Sequence, residues 1–135
     1  MMPRNKYYSR KITIEGMTFD SKKEARRYRE LRLLEKAGEV TDLKRQVEYE
    51  LIPAQFEEIP TGETYKRGDR KGQPKTKRVC LELGVKYVAD FTYTTKDGET
   101  VVEDVKGYKG GGAYSMFTIK RKLMLYVHGI RIREV

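Results

Sequence analysis

The apolar positions of this chain change period several times, and each change marks an element. Ile12 and Ile14 alternate with Lys11, Thr13 and Glu15, the period-two pattern of a short strand. Gly16 ends or bulges that strand, and Met17 and Phe19 are the next apolar anchors. Asp20-Ser21-Lys22-Lys23-Glu24 then reads as a helix start. Ser21 suits the N-cap, and Glu24 three residues on completes a capping box. Helical spacing continues to about Ala37, where Gly38 can take a left-handed cap. On that helix Glu24, Tyr28 and Leu31 fall in one narrow sector, so Glu24 heads the core face. Arg26, Arg27, Arg29, Arg32 and Lys36 populate much of the remaining surface. Residues 43–52 alternate at Val47, Tyr49 and Leu51, a strand with one buried face that Pro53 helps to end. Phe56 and Ile59 are isolated anchors in a less regular segment ending at Pro60, and residues 79–83 form a short strand broken by Gly84.

Residues 88–107 carry the clearest pattern. Two β-branched and aromatic runs flank a turn containing Asp97-Gly98, a strong hairpin signal. With a three-residue loop, Lys96-Asp97-Gly98, Thr95 faces Glu99 and Asp90 lies opposite Asp104. With a two-residue loop, Asp104 faces Phe91 instead. Alternation puts Asp104 and Lys106 on one face in either register. Beyond Gly107 and a glycine-rich connector (Gly110-Gly111-Gly112) a second helix runs from about Ala113 to Val127. Met116, Ile119, Leu123 and Tyr126 are its expected core face, and Gly129 its cap. Residues 130–135 alternate as a last strand. This order predicts an α/β domain, a central mixed sheet flanked by helices, in a single domain spanning residues 1–135. Residues 1–10 are expected to be a basic arm.

Charge sharpens the picture. The chain has 29 Lys and Arg against 20 Asp and Glu, a net charge of +9, which suits a polyanionic partner, most simply nucleic acid. Residues 65–78 hold seven of those cations (Lys66, Arg67, Arg70, Lys71, Lys75, Lys77 and Arg78) against Asp69 alone. Gly68, Gly72 and Pro74 argue against a regular element there, so a basic loop that touches phosphates is expected. Lys109, Lys120, Arg121 and Lys122 are further phosphate candidates. One cysteine, Cys80, leaves no internal disulfide or cysteine zinc cluster, and the single histidine, His128, makes histidine catalysis improbable. No apolar run is long enough to span a membrane, no signal-peptide core follows the N-terminus, and the expected setting is the cytoplasm. No helix-turn-helix, zinc finger or phosphate-binding Walker loop is present.

Any chemistry must therefore use carboxylates and lysine. Like charges facing across a strand pair are unfavourable unless a cation intervenes. In the three-residue register Asp90 and Asp104 form such a pair with Lys106 beside them. Hard carboxylate oxygens suit Mg²⁺, with Mn²⁺ as a substitute, and the Val105 carbonyl is a candidate ligand. Such an ion polarises phosphate and acidifies water, and Lys106 is placed to orient that water or offset transition-state charge. Glu24 has two readings: the capping-box carboxylate, or a third acid projected inward toward the hairpin.

The order Asp90, then Glu103-Asp104-Val105-Lys106, behind a helix opening Asp20-Ser21-Lys22-Lys23-Glu24-Ala25, resembles the PD-(D/E)XK nuclease superfamily. Over roughly residues 10–135 the chain looks more closely like small phage and prophage proteins of unknown function assigned to it. These share phrases like Phe19-Asp20-Ser21-Lys22-Lys23-Glu24-Ala25, Tyr87-Val88-Ala89-Asp90-Phe91 and Glu103-Asp104-Val105-Lys106-Gly107. The resemblance implies a restriction-endonuclease-like αβββαβ core, with Asp90 and Asp104 as motif acids and Lys106 as motif lysine. In Holliday-junction-resolvase-like members an acid on the first helix joins the metal site, which maps to Glu24. Ala89 stands where the motif's name has proline. Glu103 competes for the second acid, but alternation points it to the other face and its spacing to Lys106 is wrong. The expectation is a Mg²⁺-dependent endodeoxyribonuclease cutting branched or structured DNA in phage replication or recombination, inside the bacterial host cell. Recognition would be through backbone and shape, and a homodimer is expected if the cut junction is symmetric. A non-catalytic nucleic-acid-binding protein and an RNA-directed nuclease with the same site are the alternatives.

Overall fold

A computed structural model describes residues 11–107 and 109–135; the expected basic arm at 1–10 lies outside them. The chain divides into two compact units. Residues up to Tyr49 together with Tyr87–Val135 form one, and Glu50–Lys86 form the other.

In the first unit, β1 (Ile12–Ile14) and β2 (Met17–Phe19) make a small hairpin. Its turn residues, Glu15 and Gly16, both have positive φ, the geometry that matches strand twist in a two-residue turn. Helix α1 (Lys22–Lys36) follows, and Ser21 is its N-cap, the hydroxyl accepting the Glu24 N–H at 3.1 Å. A cap of this kind is worth about 1 kcal/mol. Glu24, Ala25, Tyr28 and Leu31 are its buried residues, as the sector predicts. Ala25, Tyr28 and Leu31 pack with Phe19, Val40, Phe91 and Tyr93 in the main apolar cluster. Arg27 departs from the expected solvated face. Its side chain is only 18% exposed, and it is paired with the fully buried Glu103.

The central sheet has strand order β3-β6-β7-β8. These are β3 (Val40–Ile52), β6 (Val85–Thr95), β7 (Thr100–Asp104) and β8 (Ile132–Glu134). β6 and β7 are antiparallel, whereas β7 and β8 are parallel, so the sheet is mixed. The parallel step needs a crossover, which α2 (Gly111–Leu123) and a π-helical turn (Met124–His128) supply. Helix α2 does not bury the expected face. Phe117 and Met124 are buried, whereas Met116, Ile119 and Tyr126 are exposed. Phe117 makes ring contacts with Tyr87 and Tyr114, and this aromatic contact fixes the inward side of the helix.

The second unit contains β4 (Gln55–Thr64) and β5 (Pro74–Glu82), an antiparallel ribbon. It corrects two expectations. The segment holding Phe56 and Ile59 is a regular strand, and residues 74–78 of the basic run belong to β5 rather than to a loop. Gly68 and Gly72, both at positive φ, turn the chain within the shorter tip between the strands. Where the ribbon closes, Gly84 lies so near the opposing backbone that a Cβ would sit 2.9 Å from the Ile52 carbonyl oxygen.

Candidate active site

The β6–β7 hairpin has the three-residue register. Thr94 pairs with Thr100 and Phe91 with Glu103, and the Thr95 N–H donates to the Glu99 carbonyl at 2.8 Å. Continued one step, this register sets Asp90 across from Asp104. The backbone beyond Asp104 is pinned by β8. The Val135 N–H donates to the Asp104 carbonyl at 2.9 Å, and the Lys106 N–H to the Val135 carbonyl at 3.1 Å. The Asp104-Val105-Lys106 segment is thereby held in extended form at the sheet end.

The side chains converge there. Asp104 is buried, and its Oδ2 takes an ion pair from Lys106 Nζ. Lys106 Nζ also lies 3.4 Å from the centroid of the Phe117 ring, a cation–π contact that narrows its freedom. Asp90 Oδ2 accepts the Val105 N–H at 2.8 Å, so Val105 enters the site through its amide. Lys23 Nζ donates to the Lys106 carbonyl at 2.5 Å, tying α1 to the same segment. Glu24 is buried, with Arg45 Nη2 at 4.0 Å from its Oε1. Glu24 therefore holds its place in the capping sequence by its backbone N–H while its carboxylate faces the cluster.

The electrostatics are those of anions crowded away from water. Burial, then a hydrogen bond with the Asp104 carboxyl, pushes the Asp90 carboxyl up to about 8, against the lowering effect of the Val105 N–H. Burial also raises Glu24, with Asp20 and Asp104 adding to it and Arg45 opposing. Tyr87 is raised by burial and by the charges of Asp104 and Asp90. Its hydroxyl is buried without a hydrogen bond of good geometry. Loss of water is the largest cause of each shift, and the neighbouring acids add to it.

Two residues of this site escape the sequence pattern. Gln46 sits in β3 with φ +53°, a left-handed conformation that costs a non-glycine residue about 1–3 kcal/mol. Its amide reaches two of the acids, Nε2 lying 3.3 Å from Glu24 Oε1 and 3.5 Å from Asp90 Oδ1. Tyr87 is the other, three residues before Asp90.

The donor set is all hard oxygen, with an orphaned tyrosine hydroxyl beside it, which fits a divalent cation such as Mg²⁺. Among the described residues no three Asp, Glu, His or Cys side chains are gathered tightly enough to hold a metal by themselves. Asp90 and Asp104 would be its direct holders, and Gln46 now lies between Glu24 and them. Of the expected phosphate contacts, Lys66, Arg67, Arg70 and Lys71 lie in the ribbon tip and Lys75, Lys77 and Arg78 on β5. Lys109 is exposed just before α2, and Lys120 and Lys122 are on α2, whose Arg121 is paired with Glu134 at 3.3 Å.

Fold and site together define a mixed α/β protein with a carboxylate–lysine cluster at the end of its central sheet. The chain belongs to the family described as protein of unknown function DUF1064, which it matches over residues 4–131. No curated protein and no solved structure matches it. Among the described residues no helix is long and apolar enough to cross a membrane.

Proposed function

We propose that this protein is a metal-dependent endonuclease of the PD-(D/E)XK type, hydrolysing phosphodiester bonds in branched or otherwise structured DNA. The observation that carries this reading is that the β6–β7 register sets Asp90 across from the buried Asp104, with Lys106 ion-paired to the second acid. Two acids forced together are unfavourable for folding alone, and a cation bound between them relieves the cost. Mg²⁺ or Mn²⁺ bound there supplies Lewis-acid polarisation of a phosphate oxygen and a more acidic water.

The chain's own groups have separate tasks. Asp90 and Asp104 hold the ion, and the Val105 N–H fixes the rotamer of Asp90 through its 2.8 Å bond. Lys106, braced on Phe117, orients the attacking water and offsets charge as it builds on the phosphate. Glu24 and Gln46 set the position of Asp90 from the α1 and β3 sides. The net charge of +9 favours a polyanionic substrate. A symmetric junction needs two related sites, so a homodimer is the expected active form, working in the cytoplasm of a bacterial host.

The test is cleavage of labelled junction, duplex and single-stranded DNA, and of RNA, in Mg²⁺ or Mn²⁺. Wild type is compared with Asp104→Ala and Lys106→Ala. Wild type should cut at least one DNA substrate, and both variants should lose that cleavage while still binding. Binding without cutting by wild type in either metal refutes the enzyme; cutting confined to RNA refutes the substrate.

A further inference from the structure

The β4–β5 ribbon is built unlike the sheet. Nearly every residue of both strands is exposed, whereas a two-stranded ribbon in water is marginal unless something covers it. Its charge is mixed along the strands, where Glu58 faces Arg78 and Ile59 faces Lys77, but strongly basic at the tip, where Lys66, Arg67, Arg70 and Lys71 crowd between Tyr65 and Gln73 with Asp69 as the one acid.

The tip is organised before any partner arrives. The Tyr65 N–H donates to the Gln73 carbonyl at 3.0 Å and the Gly72 N–H to the Tyr65 carbonyl at 2.9 Å. Within that loop the Gln73 N–H donates to the Arg70 carbonyl at 2.8 Å. The Tyr65 ring has two cations near it, the Arg70 guanidinium 5.7 Å and the Lys75 ammonium 5.5 Å from its centroid. Seven like charges in a loose loop would spread apart; here turn bonds and ring faces hold several of them in place.

We infer that the ribbon is a groove-entering arm whose occupant is B-form double-stranded DNA, the cationic tip seated in the major groove between flanking phosphates. Strands about 4.8 Å apart, with side chains, make a ribbon that a groove about 12 Å wide admits. The deep, narrow major groove of A-form RNA does not admit it. The arm thus selects DNA duplex over RNA duplex by shape, and its cations supply affinity without reading sequence. This inference rests on the proposal that the substrate is DNA, and it extends it by assigning duplex recognition to a unit that holds none of the proposed catalytic residues.

The test uses the full chain in chelator, where nothing is cut. The variant Lys66→Gln/Arg67→Gln/Arg70→Gln/Lys71→Gln is compared with wild type and with Arg29→Gln/Lys36→Gln, two exposed cations of α1, as a charge-removal control. Binding is followed by anisotropy across a salt series on a DNA duplex, the matching RNA duplex and a single strand. Circular dichroism checks that the three proteins fold alike. Wild type should prefer the DNA duplex and protect guanine N7 from methylation. The tip variant should lose the protection, and its salt slope should fall by up to about 3.6, four phosphate contacts at about 0.9 each. The control should keep the protection. An unchanged slope in the tip variant, equal affinity of wild type for the RNA duplex, or absence of N7 protection overturns the arm. Those outcomes leave the nuclease proposal standing, because cleavage is scored separately in metal.

Discussion

Glu103 and Asp104 are adjacent acids with opposite fates, and replacing Glu103 separates them. Its side chain is fully buried. It accepts from Arg27 Nε at 2.8 Å and from Arg27 Nη2 at 2.7 Å, and from the Tyr93 hydroxyl as well. Hydrogen bonds to charged groups are worth about 1.5–3 kcal/mol each, and breaking a buried pair from one side costs about 3–5 kcal/mol. Arg27 is not stranded by the loss, since it is partly exposed and keeps Glu30 at 2.9 Å, so the lower end applies. Glu103→Ala should therefore lose about 3 kcal/mol in urea unfolding, a fall in Tm of roughly 10 °C for a domain of this size. Arg27→Met/Glu103→Leu should recover part of that, because apolar side chains refill the buried volume, while the Tyr93 hydroxyl still lacks its acceptor. Glu103→Gln, assayed well below its Tm, should still cut DNA where Asp104→Asn does not. A loss under about 1 kcal/mol for Glu103→Ala refutes the anchor, and abolished cleavage in folded Glu103→Gln refutes the assignment of Asp104 as the motif acid.

The raised Asp90 carboxyl weakens the metal-free fold as pH climbs from about 4 through about 8. Asp90→Asn should therefore match wild type below pH 4 and exceed it by about 2 kcal/mol above pH 8 in chelator, a figure reduced for the half-buried setting; a pH-independent difference refutes it. Gln46→Gly relieves the left-handed strain while removing the amide between Glu24 and Asp90, so it should melt no lower than wild type yet cut about 10- to 100-fold more slowly. Equal cleavage rates would show that the amide is not positioning the acids. Gly84→Ala drives a Cβ against the Ile52 carbonyl and the Ala54 N–H. It should cost about 1–3 kcal/mol and speed hydrogen exchange in β4 and β5 before the central sheet, which amide-resolved exchange measures.

The hairpin and the shared face of Asp104 and Lys106 were legible, but the hairpin's register was not: an Asp-Gly turn suits a loop of two or three residues, and the Thr94–Thr100 pairing selects the longer one. Helix α1 was legible, its cap and its buried sector pointing the same way. Helix α2 was not. Its sequence offers two apolar stripes, one through Met116, Ile119 and Tyr126 and another through Phe117 and Met124, and periodicity cannot rank them. The contacts of Phe117 with Tyr87 and Lys106 decide it. Strands β4 and β5 left little trace because a ribbon exposed on both faces has no burial to impose alternation. Gln46 was invisible because the alternation of β3 runs through it unbroken and marks it only as an exposed position, with nothing to signal its positive φ.

The course of the chain between β3 and β6 has a topological meaning of its own. It departs the first unit after Tyr49 and returns at Tyr87, and those two rings stack with centroids 6.4 Å apart. The whole excursion between them is an insertion into the connection of neighbouring sheet strands. Loop-closure entropy grows only slowly with the length of such an insertion, so descent can lengthen it, trim it or exchange it at little expense to the sheet. If the proposed roles hold, the carboxylates of the sheet are thereby insulated from changes in the ribbon, and chemistry and grip are free to evolve at different speeds.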